Sequence, residues 1–431
     1  MLNAPFPVLQ VALDFLDISR ALRAAKEAHA GGAQWLEAGT PLIKAEGLAA
    51  VRALRAEFPQ ATVVADLKTM DAGRTEMEAA AKAGANVGVV LGLASDATIA
   101  ECVEAGRNYG LTIGCDLIGV ADPAARAAAV EKLGVDYVNV HCPIDEQMEG
   151  KTPWDRLKEV AARVKIPISV AGGISAATAG QAVQFGARIV VVGGAITKSP
   201  DGQAAAAAIR AAMAGQKVDA PQFKRVGRDE VLKALKQVSA ANLSDAMHRG
   251  GVLPGIHPVK PGLRFAGPAY TCRSMPGDWS KPVRAIDEAQ PGDVLVIDSF
   301  GVGPAVWGEL ATHSAMKRGL AGVVIHGASR DTGDIRALNF PLFSLLQMPN
   351  AGEPKGFGEL AVPLHFLGRE IHPGDWLLGD DDGVVVVPQA QAAEWANRAL
   401  DVLEKENRLR ADIDAGSSLG KVAELLKWEK V

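Results

Sequence analysis

Between residues 9 and 213 one pattern recurs: a short apolar run rich in β-branched residues, then an Ala/Leu/Glu-rich stretch with helical spacing. The apolar runs are Leu9–Asp14, Trp35–Ala38, Thr62–Leu67, Asn86–Leu91, Thr112–Asp116, Tyr137–His141, Pro167–Ala171 and Ile189–Val192. Helical spacing follows them, as in Gly47–Phe58, Asp96–Tyr109 and Pro200–Met213. Eight strand–helix units in about 210 residues predict a (β/α)8 TIM barrel. An open doubly wound sheet usually carries a glycine fingerprint after its first strand. Here that strand ends in LDFLD.

The grammar then changes. AGQKVDAPQFKR, residues 214–225, is polar and aperiodic and predicts a linker. Beyond it lie a helical segment (Asp229–Arg249), a Gly/Pro-rich stretch (Gly250–Gly267), the β-like runs Asp293–Ile297, Gly322–Ile325 and Gly383–Val387, and a helical tail from Gln389 to about Ala415. Helix and strand mix without strict alternation, so residues 226–431 predict a separate, mixed α/β domain with a helical tail. The barrel is expected over 1–213.

Composition narrows the function classes. Lys plus Arg number 45 against 50 Asp plus Glu, a net charge of −5, with no basic stripe for a sequence-independent grip on nucleic acid. No run of apolar residues suggests a membrane span, and the N-terminus lacks the basic start of a signal peptide. Cys102, Cys115, Cys142 and Cys272 form no CxxC pair. Reduced thiols and a cytoplasmic location are expected.

In a (β/α)8 barrel the active site lies at the C-terminal strand ends. Those ends carry Asp14, Glu37, Asp66, Asp116 and His141. The densest cluster is Asp66-Leu67-Lys68-Thr69-Met70-Asp71. The period of two places Asp66 and Lys68 on one side of an extended segment. Carboxylates around an ammonium can bind a hard cation such as Mg2+ and keep the lysine charged; the plainer reading is a solvated ion-pair cluster. Glu37 is a second candidate metal ligand or a turn carboxylate. His141 could move protons near neutral pH, or be a hydrogen-bonded structural histidine. Asp14 could orient Lys68 or substrate hydroxyls, or cap a turn. Gly172-Gly173 and Gly193-Gly194 follow strands seven and eight, the usual phosphate site of this fold. Together these features predict a phosphorylated sugar handled through a metal-bound enediolate.

Asp66-x-Lys68-x-x-Asp71 resembles the hallmark of the orotidine-monophosphate-decarboxylase superfamily. The phrases LQVALD, EAGTPLIKAEG, VVADLKTMDAG, DLIGV, VDYVNVH, VAGGI and VVGGAIT are similar to 3-hexulose-6-phosphate synthases across residues 8–212. The resemblance implies an aldol condensation of ribulose 5-phosphate with formaldehyde, run with Mg2+ (or Mn2+). It implies Glu37 and Asp66 as metal ligands, Lys68 as support for the enediolate and His141 as the proton-handling histidine. Asp71 would be lent across an interface of a homo-oligomer. The rival within the superfamily is decarboxylation of 3-keto-L-gulonate 6-phosphate. That decarboxylase carries an arginine in the last phosphate loop, where this chain has Gly194-Ala195.

In the second half, Trp307-Gly308-Glu309-Leu310-Ala311-Thr312 precedes a helical stretch, and Gly322–Gly327 leads to Ser329-Arg330-Asp331. Taken alone, the Arg-Asp pair reads as a salt-bridged turn, and Asp380-Asp381-Asp382-Gly383 as a β-turn. The phrases FAGPAYT, AQPGDVLVID, WGELAT, RGLAGVVIHGASRD and GDDDGVVVVP, over residues 230–400, resemble the family of 4-hydroxy-4-methyl-2-oxoglutarate aldolases and regulators of ribonuclease E activity. That resemblance implies a divalent metal on Asp331, a keto-acid carboxylate on Arg330, and substrate contacts from the loop Gly308, Glu309, Leu310 and Ala311. It equally implies a protein-binding regulatory role. His326 stands where acidic or small residues are expected.

Overall fold

The structure is a computed structural model and describes residues 7–218 and 225–422. Eight parallel strands close into a barrel in sequence order: β1 (Val8–Leu13), β2 (Trp35–Ala38), β3 (Thr62–Thr69), β4 (Val87–Leu91), β5 (Thr112–Asp116), β6 (Tyr137–His141), β7 (Ile168–Ala171) and β8 (Ile189–Val192). Closure is direct, with Val8 of β1 opposite Ile189 of β8. The expected (β/α)8 architecture is the observed one, and strand ends differ from the sequence reading by a residue or two.

Alternation along each strand sorts the core into two shells. Val8, Ala12, Trp35, Val64, Val87, Tyr137 and Ile189 fill the barrel interior. Leu9, Val11, Leu13, Leu36, Val63 and Ala65 pack outward against helices that bring Ala24, Leu54, Met77, Ile99 and Ile209. The interior is plugged by Trp35 and Tyr137, edge to face at 6.2 Å. Gly114 makes this possible: a Cβ there would fall 2.2 Å from the Tyr137 ring. Full burial of each large apolar side chain is worth about 1.5–3 kcal/mol, so this layered packing is what holds the mouth in shape.

The second unit is built on a mixed sheet. Its strands are β9 (Val252–Leu253), β10 (His257–Pro258), β11 (Phe265–Ser274), β12 (Val294–Asp298), β13 (Gly322–Ser329), β14 (Leu342–Gln347), β15 (Gly358–Leu360), β16 (Leu364–Phe366), β17 (Arg369–Ile371), β18 (Trp376–Asp380) and β19 (Gly383–Val387). The main sheet runs β10-β14-β13-β12-β11-β18-β19-β9, with β15 on β11; β16 and β17 form a separate pair. Strands β11 to β14 are mutually parallel, whereas β18 and β19 return antiparallel. This is the mixed α/β domain that the second half predicted. The expected helix Asp229–Arg249 is broken into Val231–Leu235 and Ala240–Ala246, because Ser239 and Asn242 form a capping box that starts a new helix.

Compactness divides the chain differently from the expected boundaries at its C-terminal end. One unit comprises Met1–Gln147, Lys151–Lys224 and Glu404–Val431, and the other Met148–Gly150 and Arg225–Leu403. The helix Ala392–Asp414 thus contributes its first half to the second unit and its second half to the barrel unit. In the second unit Ala396, Ala399 and Leu400 join the core, and buried Asn397 accepts the Val226 N–H at 2.7 Å. In the barrel unit Arg408 pairs with Glu27 at 2.8 Å and donates to the Ser199 carbonyl at 2.7 Å. Half of the expected linker, residues 219–224, lies outside the described residues. All four cysteines carry free, buried thiols. Among the described residues no helix is long and apolar enough to cross a membrane.

Candidate functional site

The inward register of the barrel strands builds the mouth. Counting on by twos from Ala12, Trp35, Val64, Gly114 and Tyr137 reaches Asp14, Glu37, Asp66, Asp116 and His141. Strand β3 goes further. Its pairing with β4 shifts between Ala65 and Thr69, and within that irregularity Lys68 adopts φ +49. A bulge re-aims side chains, and here it turns the ammonium back onto the strand ends.

The result is one connected network. Lys68 Nζ lies 2.6 Å from Asp66 Oδ2 and 3.5 Å from Asp116 Oδ2. Asp116 Oδ2 also takes His141 Nδ1 at 2.9 Å, while its Oδ1 accepts the Ile118 N–H at 2.9 Å. Thr40 donates to Asp66 Oδ2 at 2.7 Å, and Gln10 donates to Glu37. The electrostatics follow from this crowding. Burial pushes Glu37 well above the ordinary carboxylate range, and the Asp66 and Asp14 charges add to it. Burial likewise raises Asp14, helped by Asp66 and opposed by Lys68, His141 and Lys198; solvent still reaches this residue at the open lip. Burial works against a charged Lys68, but Asp66 and Asp116 outweigh it and hold the ammonium above its usual value. Asp116 is pulled the other way. Its burial is overcome by His141, Lys68 and the Ile118 N–H, which keep it below its ordinary value.

The two glycine pairs flank this network. Gly172 and Gly173 have φ of +108 and +69, and a Cβ on Gly172 would sit 2.4 Å from the Cys142 carbonyl oxygen. Only glycine fits there. Gly193 precedes the short helix Gly194–Thr197, and Asp14 Oδ2 lies 3.8 Å from where a Gly193 Cβ would be. Asp71 is the exception among the expected residues. It is exposed past the end of β3, accepts its neighbour Ala72's N–H, and joins none of the bonds around Lys68. Sequence reasoning counted Asp116 among the strand ends without giving it a part, and it missed Gln10 and Thr40. For Asp116 the signal was present, since it closes Thr-Ile-Gly-Cys-Asp as the other acids close their strands.

Among the described residues no three His, Cys, Asp or Glu side chains are grouped to hold a metal ion. Of the buried carboxylates at the barrel mouth, Asp116 has both oxygens engaged by Lys68, His141 and the Ile118 N–H, and the other two are Glu37 and Asp66.

In the second unit the expected residues also meet. Gly308 precedes the helix Glu309–Arg318, whose first N–H has no acceptor within the helix and donates instead to Asp331 Oδ2 at 3.2 Å. Arg330 Nε is 3.4 Å from the same oxygen, and the Arg330 N–H bonds the Trp307 carbonyl at 2.9 Å. A Cβ on Gly308 would lie 2.5 Å from Asp331 Oδ2, so the glycine admits the carboxylate. Asp331 itself has φ +55. Leu310 is 82% exposed on the first turn, beside Ala311.

Residues 7–209 match the family described as "Orotidine 5'-phosphate decarboxylase / HUMPS family", and residues 240–386 match "RraA-like: Aldolase/RraA". The chain is 42% identical over 206 residues to a 3-hexulose-6-phosphate synthase of Mycobacterium gastri, covering 48% of this chain and 99% of that one. It is 43% identical over 201 residues to a 3-hexulose-6-phosphate synthase of Methylomonas aminofaciens, covering 46% and 96%. A solved structure of the RNA-processing inhibitor RraA from Thermus thermophilis is 36% identical, covering 34% of this chain and 91% of that one at a TM-score of 0.33.

Proposed function

The chain belongs to the orotidine 5'-phosphate decarboxylase / HUMPS family through residues 7–209 and carries an RraA-like domain over residues 240–386, and on that footing we propose that its barrel is a Mg2+-dependent carbon–carbon lyase condensing formaldehyde with D-ribulose 5-phosphate to a 3-hexulose 6-phosphate. The observation that carries this reading is identity of 42% across 99% of a protein named for that reaction. The convergence of Glu37, Asp66, Lys68, Asp116 and His141 on one mouth supports it.

The donor set suits Mg2+. Glu37 and Asp66 are hard oxygen ligands, and the charge of Asp66 beside Glu37 disfavours both being ionised without a cation. Mg2+ is commonly held by one or two carboxylates, with water and substrate oxygens completing its shell, so a third protein ligand is not required; Mn2+ has the same taste in ligands. When bound, the ion supplies fixed positive charge that lowers the cost of the enediolate. The remaining work falls to the chain. His141, held through Nδ1 by Asp116, offers Nε2 to take the proton from C1 of the ketose. The electron pair left on C1 forms the bond to the formaldehyde carbon, and the former aldehyde oxygen takes up a proton. Lys68 hydrogen-bonds the oxygens on which charge collects. Asp14 orients Lys68 or the sugar hydroxyls. The N–H groups around Gly172, Gly173, Gly193 and Gly194 grip the phosphate. Asp71 serves a neighbouring copy in a homo-oligomer.

For the second unit we infer a divalent-metal site on Asp331. Arg330 pairs with the carboxylate of a 2-oxo acid, and the first turn at Gly308–Ala311 donates N–H groups to it. One Asp331 oxygen is engaged by the Glu309 N–H, which leaves the other for a cation. We propose a cytoplasmic location, which suits the four free thiols.

The test is to incubate the full chain with ribulose 5-phosphate, formaldehyde and Mg2+ and to follow formaldehyde. Consumption that stops on chelation is expected. No consumption, with CO2 released from 3-keto-L-gulonate 6-phosphate, would replace the synthase reading by the decarboxylase one. Metal-dependent decarboxylation of oxaloacetate tests the second unit, and its absence favours a protein-binding regulator.

A further inference from the structure

On β13, five residues before Asp331, a second group of chemical side chains opens to solvent. Strands β12 and β13 are adjacent, with Asp298 opposite His326. His326 Nδ1 and Asp298 Oδ1 are 2.8 Å apart, and the same oxygen accepts the Phe300 N–H at 3.0 Å. The His326 ring stacks on Phe366 at 4.6 Å, with 11° between planes. Its orientation is thus fixed from the edge and from the face. The other ring nitrogen, Nε2, points at Gly301, where a Cβ would come within 2.7 Å of it. Glycine at that position keeps the nitrogen accessible.

This dyad lines a cavity of about 420 Å3 with Arg273, Phe300, His365 and Phe366. A second cavity, of about 440 Å3, shares Arg273 and Phe300 and adds Met275, Phe357 and Glu359. The two are halves of one cleft with Arg273 at the waist. One half carries the hydrogen-bonding imidazole. The other is walled by apolar side chains that stand in water, Met275 at 49% and Phe357 at 60% exposed. Arg273 spends one N–H on Glu359 at 2.7 Å and one on the Pro363 carbonyl at 2.8 Å. A guanidinium has five N–H groups, so it retains capacity for a ligand.

We propose that this cleft is a binding site for a small organic monocarboxylate with an apolar substituent. Arg273 pairs with the carboxylate, and the substituent lies against Phe300, Met275 and Phe357. The charge count limits the ligand to a single negative charge. Among the described residues Arg273 is the one fixed cation lining either cavity, and Asp298 and Glu359 stand beside it. Because the carboxylates already outnumber the guanidinium, each further negative charge on a ligand adds repulsion, which disfavours a phosphate dianion against a monocarboxylate. The combined volume falls within the range of small-molecule sites, and their mixture of apolar walls with a few convergent polar groups is what such sites present.

The probe is phenylacetate, titrated calorimetrically into the full chain, with uncharged phenylacetamide as its isostere. Saturable binding of phenylacetate and at least about tenfold weaker binding of the amide are expected, the size of one charge-assisted bond. Arg273→Gln should weaken phenylacetate by a similar factor at an unchanged melting temperature. Glu359→Gln, an exposed change, frees the guanidinium from its competitor and should tighten phenylacetate by about two- to threefold. It decides the matter if Arg273→Gln fails to fold. No saturable binding, equal affinity for acid and amide, or weaker binding by Glu359→Gln would each overturn the proposal.

Discussion

Asp116 is buried with a salt-bridge partner on each side, Lys68 and His141. Replacing it by Asn keeps the shape and removes the charge that fixes the imidazole. Turnover of the full chain should fall by about 10²-fold or more, the scale of a general base held in the wrong state, and steady-state kinetics would show it in kcat. The same substitution has a pH signature. Because Asp116 is held below its ordinary value, its contribution to stability is present above the unfolded carboxylate value near pH 4 and is lost as pH falls through the lower folded value. Urea midpoints should therefore fall less steeply with acid below about pH 4 in Asp116→Asn than in the parent. Asp66→Ala should abolish formaldehyde fixation while circular dichroism stays native; turnover at a comparable rate would remove Asp66 from the metal site. These residues were legible to different degrees. The period of two brings every strand-end acid inward, which needs only the strand assignment. The part played by Asp116 needs the adjacency of β5 and β6, where Asp116 stands opposite Asn139, and no local pattern carries that. The Asp298–His326 pair was hidden for the same reason.

Loops and helix ends set how the strand-end chemistry is used. Gly172 sits at φ +108 with the Cys142 carbonyl 2.4 Å from any added Cβ. Gly172→Ala must therefore shift the β7 loop, at a cost of about 1–3 kcal/mol. If that loop grips phosphate, KM for ribulose 5-phosphate should rise more than kcat falls, and initial rates would separate the two. The helix Ala392–Asp414 makes a different point. Its amphipathic spacing announced a helix, and the helix is there. Its allegiance was illegible, because the partners of Arg408 lie 381 and 209 residues away, at Glu27 and Ser199. Arg408 is also 3.3 Å from Asp412, which in turn holds Arg23 at 2.7 Å. Arg408→Ala leaves Glu27 and Asp412 without their shared cation in a nearly buried position. A loss of about 2–3 kcal/mol is expected, read as a lower urea midpoint for the barrel.

At the scale of the whole molecule, the two proposed chemistries share a chain, each assembled from its own unit. Arg330→Ala should abolish any oxaloacetate decarboxylation and leave formaldehyde consumption unchanged, both measured on the intact chain. Coupled loss would mean that the two reactions communicate. The barrel was readable as a class because eight-fold repetition is a global property of the text. The second half was readable mainly by resemblance, because its strands leave sequence order: β18, with β19 beyond it, lies beside β11 rather than β14.

The helix shared between the units bears on how such a chain can be taken apart. A fragment ending at residue 213 keeps every barrel strand but forfeits Arg408, so Glu27 and the Ser199 carbonyl lose the cation that they bind. Grafting or excising the first half as a free-standing catalyst would call for a substitute there, such as a neutral side chain in place of Glu27.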